Sequence, residues 1–201
     1  MDYENFEIIV VDNNSSDKSV EILQRLSSRL KIVINHENLG FARACNVGFK
    51  TSRGRLIGFF NSDALSDRKW LGELVTALSN SENAAAAGGP IFYFETPNKV
   101  WFSGGKIDAV TGFSWHIGQN TFGLPNVTEF DTLSGCAILI KRSVLEKTGC
   151  LDQSYFLYGD DVDLSITIGR LCMELLFVPS AISWHMVSTS KKRAPRLTYQ
   201  M

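Results

Sequence analysis

The sequence predicts an α/β fold: a mainly parallel central sheet flanked by helices, Rossmann-like in its first half. Three observations predict it. The short runs FEIIVVD (6–12), KIVIN (31–35) and GRLIGFF (54–60) are apolar and rich in β-branched residues, the mark of strands buried on both faces. The segments between the runs carry apolar residues at helical spacing. Polar clusters close the first and third runs, DNNSS from Asp12 and NSD at 61–63. Strand alternating with helix implies βαβ units, and ligands of such sheets bind outside the carboxyl ends of the strands. The two polar clusters therefore meet at one sheet edge although some fifty residues separate them.

Each element has its own signal. NNSSD (13–17) supplies turn formers and helix caps. KSVEILQRLSSRL (18–30) places Val20, Leu23, Leu26 and Leu30 near helical spacing. After the strand at 31–35, HENLG (36–40) is a loop and FARACNVGFKTS (41–52) a short helix rich in small residues. SDRKWLGELVTALSN (66–80) is a helix capped by Ser66 or Asp67. AAAAGGPIFYF (84–94) reads as a strand. Residues 95–130 hold glycines and the aromatics Trp101, Phe102, Phe113 and Trp115, read as strands and loops over the binding edge, with the rings packed locally or one or two of them stacking on a sugar. TLSGCAILIKR (132–142) is a buried strand and SVLEKTG (143–149) a short helix stopped by Gly149. DLSITIGRLCMELL (163–176) aligns Leu164, Ile168, Leu171, Cys172 and Leu175 on one helical face, and FVPSAISWHMVS (177–188) is a last strand ending near His185.

Composition narrows the function classes. With 201 residues, 44% hydrophobic and 20% charged, the chain suits one domain with a sizeable core, over residues 1–190. A formal net charge of −1 gives no bulk attraction to nucleic acid. The tail at 191–201 is basic through KKRAPR (191–196), either a solvated terminus or a contact for a phosphate-bearing substrate or an anionic membrane surface. Cys45, Cys136, Cys150 and Cys172 form no C-x-x-C pair, which fits free thiols in a cytoplasmic protein. MDYENFE has no apolar signal-peptide core, and no apolar run is long enough to span a bilayer.

Four places carry candidate chemistry. Asp12 either caps the following helix or accepts hydrogen bonds from a ribose or a base. No G-x-G-x-x-G is present to support a dinucleotide site. Asp63 either closes an Asx-turn or ligates a hard cation such as Mg²⁺ or Mn²⁺. His185 is structural, or a ligand if the fold brings it near Asp63. FLYGDDVDLS (156–165) crowds Asp160, Asp161 and Asp163 at a helix mouth. Acids there either cap the helix or, because like charges raise a carboxyl's pKa, serve as a proton acceptor.

Taken in order, FEIIVVDNNSSDKS, NLGFARACNVGF, IGFFNSD, TLSGCAILIKR, YGDDVDLSITIGR and VPSAISWHMVS resemble the family 2 glycosyltransferases, with their GT-A fold, and most nearly the rhamnosyl- or galactofuranosyl-type branch. The resemblance covers roughly residues 4–190 and implies roles. Asp12 corresponds to the acid that holds the donor's nucleoside, with Asn14, Asn38, Gly40 and Asn46 near the nucleotide. Asn61 and Asp63 occupy the D-x-D-like motif, with Asn61 in place of its first acid. Asp161 corresponds to the catalytic base, Asp160 to its acidic neighbour near the acceptor, and Ser134, Gly135 and Cys136 to the sugar and acceptor pocket. Asp63 and His185 would hold Mg²⁺ or Mn²⁺.

The implied reaction is inverting transfer from a nucleotide-sugar, UDP- or dTDP-linked, to a saccharide or lipid-linked acceptor in polysaccharide biosynthesis, at the cytoplasmic face. Peripheral membrane contact and a homodimer belong to the same implication. One departure stands out. The family pattern carries a further strand and helix before FEIIVVD, and without that strand two neighbours keep unpaired backbone groups. A fragment of a longer product, a second chain or another segment filling the slot, or closure of the sheet are the expected outcomes. A non-catalytic remnant acting as a binding module is the rival reading. A nucleotidyltransferase is disfavoured, because DNNSSDKS lacks glycine.

Overall fold

The computed structural model describes residues 1–26, 30–108 and 110–186. The basic tail at 191–196 and residues 27–29 of the first predicted helix lie outside them. In chain order the elements are β1 (Ile8–Asp12), α1 (Ser19–Leu26), β2 (Leu30–Ile34), α2 (Phe41–Thr51), β3 (Leu56–Phe60), β4 (Ala64–Ser66), α3 (Trp70–Asn80), β5 (Ala84–Gly88), β6 (Ile91–Tyr93), β7 (Thr96–Phe102), β8 (Gly105–Ile107), β9 (Ser114–His116), β10 (Ala137–Lys141), α4 (Arg142–Thr148), α5 (Asp160–Arg170), β11 (Glu174–Phe177) and β12 (Ser183–His185).

A four-stranded sheet in the order β11-β5-β10-β3 forms the centre. β10 runs antiparallel to both neighbours while β11 is parallel to β5, so three of the four strands share one direction. β10 shows why the core is double-sided. Ile138 and Ile140 join a cluster with Leu145 of α4 and Leu164 and Ile168 of α5. Ala137 and Leu139 join Trp70, Leu74 and Leu78 of α3 on the opposite side. A strand with side chains alternating between two apolar layers has to be apolar throughout, as AILI is. The alanines of β5 are fully buried, their small side chains fitting the middle of this helix–sheet–helix sandwich.

A second sheet, ordered β4-β12-β6-β7, extends the molecule on the side of the polar strand ends. Its β12 pairs antiparallel with β4, setting His185 opposite Ala64. The run at 84–94 is therefore two strands, broken at Gly89–Pro90 where proline has no N–H for a ladder. The helical face read through residue 176 also ends early. α5 stops at Arg170, Cys172 turns through φ 55°, and Leu175 belongs to β11. α3 begins at Trp70, with Asp67 closing the turn before it through the Lys69 N–H. Asp163 lies with Asp160 and Asp161 inside the first turn of α5, and the N-cap position is Gly159, so none of the three acids forms a side-chain cap there.

β1 and β2 form a separate parallel pair. The sheet does not close over them: among the described residues, β1 pairs only with β2 and β3 only with β10. Between these two free edges runs a cleft of about 1750 Å³. Cys45 and Phe49 of α2 and Leu71 and Val75 of α3 are among the residues that line it. The lining includes Glu7 and Asn13 on either side of β1, and Arg55, Asn61 and Asp63 around β3. The carboxyl ends of both strands open towards the candidate site.

Candidate functional site

The β4–β12 ladder creates the first part of the site. It holds Met186 N–H on the carbonyl of Asp63 at 2.9 Å and brings His185 Nε2 to 3.0 Å from Asp63 Oδ1. Both side chains are partly open, 24% for Asp63 and 12% for His185, and both face the cleft. Asn61 stands beside them, its N–H on the carbonyl of Cys136 at 2.9 Å. Its Oδ1, and Nδ1 of His185, are buried with no hydrogen-bond partner among the described residues. A buried acceptor without a donor is costly, unless a ligand completes it.

The second part is the start of α5. Asp161 Oδ2 accepts the Gly135 N–H at 2.9 Å, and Oδ1 accepts the N–H of Val162 at 2.9 Å. Ser165 Oγ returns to the Asp161 carbonyl at 2.8 Å and fixes the turn. Burial raises the Asp161 carboxyl, while the Gly135 and Val162 N–H groups and then His116 oppose the rise. Asp160 is buried beside Asp161 at 4% exposure, and burial first, then the Asp161 charge, pushes its carboxyl up to about 7.

Two residues join the parts. Cys136 accepts the Asn61 N–H on its carbonyl while its neighbour Gly135 donates to Asp161, and its thiol is held well above its ordinary range by burial and then by the charges of Asp63 and Asp161. Trp101 packs edge-on against His185 at 4.6 Å and against His116 at 5.2 Å. His116 donates from Nδ1 to the Trp101 carbonyl at 3.2 Å. Burial lowers its pKa, and the Asp161 charge partly opposes this. Residues 63, 161 and 185 thus gather around one region. His116 carried no functional sign in the sequence, because its position depends on the β8–β9 hairpin folding back over β7, and Trp101 is only one of four rings that the sequence offers for local packing or sugar stacking. Phe102 is packed as expected, whereas Phe113 and Trp115 stack on each other while 62% and 46% exposed, outside the core.

The remaining predicted residues sort by their bonds. Asp12 is buried at the end of β1, with Oδ2 on the Ser15 N–H. Asn14 is exposed with φ 65°. Its neighbour Asn13, not singled out in the sequence, is the hub of the loop. Asn13 donates to Asn38 Oδ1 and the Gly40 carbonyl, and accepts from Asn35 Nδ2 and the Leu39 N–H. Asn38 also accepts the Gly40 N–H. Asn46 corrects the sequence reading: it is buried, and both ends of its amide are engaged with the backbone of Leu151. It braces α2 inside the core, with its amide directed to the backbone of Leu151. Ser134 Oγ is an internal acceptor for the Cys136 N–H, and Cys136 is buried, which leaves Gly135 as the member of its trio bonded to Asp161.

The residues also fit a divalent ion. Mg²⁺ and Mn²⁺ take one or two protein oxygens and complete their shells with substrate phosphates. Asp63 and His185, with the unpartnered Asn61 oxygen beside them, are such a partial set. Among the described residues no cluster of three or more His, Cys, Asp or Glu forms a complete protein cage.

Comparison with known proteins identifies the family and the fold. The family model described as "Glycosyl transferase family 2" matches residues 1–149. "Probable glycosyltransferase YdaM" of Bacillus subtilis is 29% identical over 184 residues, covering 89% of this chain and 42% of that protein. "N-acetylglucosaminyl-diphospho-decaprenol L-rhamnosyltransferase" of Mycobacterium tuberculosis is 25% identical over 213 residues, covering 94% of this chain and 69% of its own length. The chain thus spans less than half of the first of these relatives. Among solved structures, GalNAc-T7 with UDP, GalNAc and Mn²⁺ aligns with TM-score 0.70 at 16% identity, over 89% of this chain and 37% of the other. The Pyrobaculum calidifontis mannosyltransferase PcManGT with GDP-Man and Mn²⁺ aligns with TM-score 0.67 at 18% identity, over 95% and 50%. These likenesses establish the GT-A fold.

Proposed function

The chain belongs to glycosyl transferase family 2, and from that premise we propose that it moves a sugar from a nucleotide-diphosphate donor to a hydroxyl of a saccharide or lipid-linked acceptor, with inversion at the anomeric carbon. One observation carries the reading: Asp63 and His185 meet at 3.0 Å, and the 135–136 segment links them to Asp161, with the Asn61 N–H on the Cys136 carbonyl and the Gly135 N–H on the Asp161 carboxylate. A candidate ion pocket and a candidate base are therefore joined through one short segment, the nearness that displacement at a sugar carbon requires.

Asp161 is the base. Two N–H groups fix both its oxygens, so its position is set before substrate arrives. Burial raises its proton affinity towards what a general base needs. As the acceptor oxygen attacks the anomeric carbon, its proton passes to Asp161 and the bond from that carbon to the diphosphate oxygen breaks. Asp63 and His185, with Asn61 adjacent, would hold Mg²⁺ or Mn²⁺; when bound, the ion supplies Lewis-acid stabilisation to the departing diphosphate. The Mn²⁺ and nucleotide or nucleotide-sugar in the two structural neighbours support this choice of cofactor and donor class. Asp12, at the far end of β1, is the residue proposed to hold the nucleoside.

A second reading, a donor-binding module without turnover, draws on the open cleft between β1 and β3. One experiment separates the two. Nucleoside diphosphate release is measured with UDP-, dTDP- and GDP-sugars in Mn²⁺ or Mg²⁺, with and without saccharide acceptors. The proposal expects release by the wild-type chain and a loss of about 10²–10⁴-fold in Asp161→Asn, with donor affinity retained. Donor binding without release supports the module. An Asp161→Asn variant as fast as wild type removes the assigned base.

A further inference from the structure

The segment that carries the acids into α5 is strained and is tied to a different part of the chain. Tyr158 and Gly159 both sit at positive φ, 67° and 86°, immediately before Asp160. A non-glycine residue in that region persists only where its surroundings hold it. The hold is visible two residues earlier. Phe156 accepts the Phe41 N–H on its carbonyl at 2.8 Å, at the first residue of α2. Gly40, at φ 79°, lies against the same residue: a Cβ there would stand 2.5 Å from the Phe156 carbonyl oxygen and 2.8 Å from its ring. Gly40 is itself held by Asn13, whose Nδ2 bonds the Gly40 carbonyl at 3.1 Å and Asn38 Oδ1 at 3.0 Å. The chain of contacts runs from the carboxyl end of β1 to the loop before the acids.

We propose that Asn13, Gly40 and Phe156 form a clasp that fixes the 156–161 segment against the carboxyl end of β1, making Asn13 and Gly40 positioning residues for the transfer reaction. The clasp couples the end of β1 carrying Asp12 to the acids of α5, which lie nearly 150 residues further along the chain. Gly40 is glycine for contact as well as for φ, because any side chain would push Phe156 and the segment behind it outward. Its role in transfer rests on the proposed function, while its geometry does not.

The test compares Gly40→Ala and Asn13→Ala with Gly149→Ala. Gly149 ends α4 at the same φ of 79° with nothing within 4 Å of an added Cβ, so its variant carries the backbone strain without the collision. Asn13→Ala introduces no clash and carries the test should Gly40→Ala not fold. Amide exchange in residues 154–161 is expected to rise about tenfold in both clasp variants and to stay at the wild-type rate in Gly149→Ala. kcat is expected to fall about ten- to a hundredfold, with donor KM changed less than about twofold. Unchanged exchange in the folded clasp variants overturns the clasp. Faster exchange with wild-type kcat overturns the positioning role. If the wild-type chain turns over no donor, the transfer reading falls, and the exchange data still decide the clasp.

Discussion

Asp160 and Asp161 are adjacent in sequence but differ in what holds them. Burial raises both carboxyls, but at Asp161 two N–H groups that favour its charged form oppose the rise, whereas Asp160 is pushed from 3.8 to about 7 by burial and then by the Asp161 charge. The folded Asp160 binds its proton more tightly than the unfolded chain does. The stability this contributes is complete below the unfolded value and is lost as pH rises through about 7. Asp160→Asn removes the charge and should therefore stabilise the fold above neutrality. We expect a gain of a few kcal/mol at most at pH 8, or about 2–4 °C in Tm for each kcal/mol, and no gain at pH 4. Thermal melts of both proteins across that range check it, and equal Tm differences at both pH values would remove burial of the charge as the cause. At this scale the site was partly legible. Asp63, Asp161 and His185 carried chemistry in their residue types and their places at element ends. Asn13 and His116 acquire significance only from partners distant in sequence.

Among the elements, α2 shows how one helix serves both the core and the site. Its first turn holds the Phe156 carbonyl, and one turn further on Asn46 clamps Leu151 through two hydrogen bonds, 2.8 and 3.2 Å. The resemblance placed Asn46 near the nucleotide, but its burial and bonds make it a brace. Asn46→Ala should destabilise the chain by about 1–3 kcal/mol, since it leaves the buried Leu151 N–H and C=O unmet. Donor KM should be unchanged. Chemical denaturation and donor titration check the two halves, and a weakened donor with full stability would restore the nucleotide role. The helices and strands were legible where periodicity was strong, as in α3 and β10. They failed where a continuing apolar pattern hid the break, as at Gly89–Pro90 within 84–94 and after Gly169 in α5. Leu171, Cys172 and Leu175 keep helical spacing, yet the chain leaves α5 after Arg170 because Glu174–Phe177 gains a strand partner in β5. Tertiary pairing overrode the local pattern there.

Across the whole molecule, packing is uneven, and stability should follow it. The β11-β5-β10-β3 sheet lies between two apolar layers, and residues 84–87 and Ile140 are fully enclosed. The β1–α1–β2 unit has one ladder, no buried residue in α1, and Ile8, Ile22 and Leu26 at 45%, 55% and 68% exposure. Its apolar strand reads like an interior strand, which is why the sequence implied burial on both faces, but one edge and part of its surface border the cleft. Local opening costs less where fewer apolar contacts and fewer shared ladders must be broken. Hydrogen exchange should therefore rank the chain. Amides of Ile8–Asp12 and Leu30–Ile34 should exchange by local opening, orders of magnitude faster than those of Ala84–Gly88 and Ala137–Lys141, which should require global unfolding. Uniform protection would mean that the first unit is coupled to the core more tightly than its contacts allow. A selective gain at Ile8–Asp12 and Leu56–Phe60 when nucleotide-sugar is added would show the cleft responding to donor. The site would then draw its order partly from the ligand, because Asp12 stands on the less stable unit and Asp63 and Asp161 on the core.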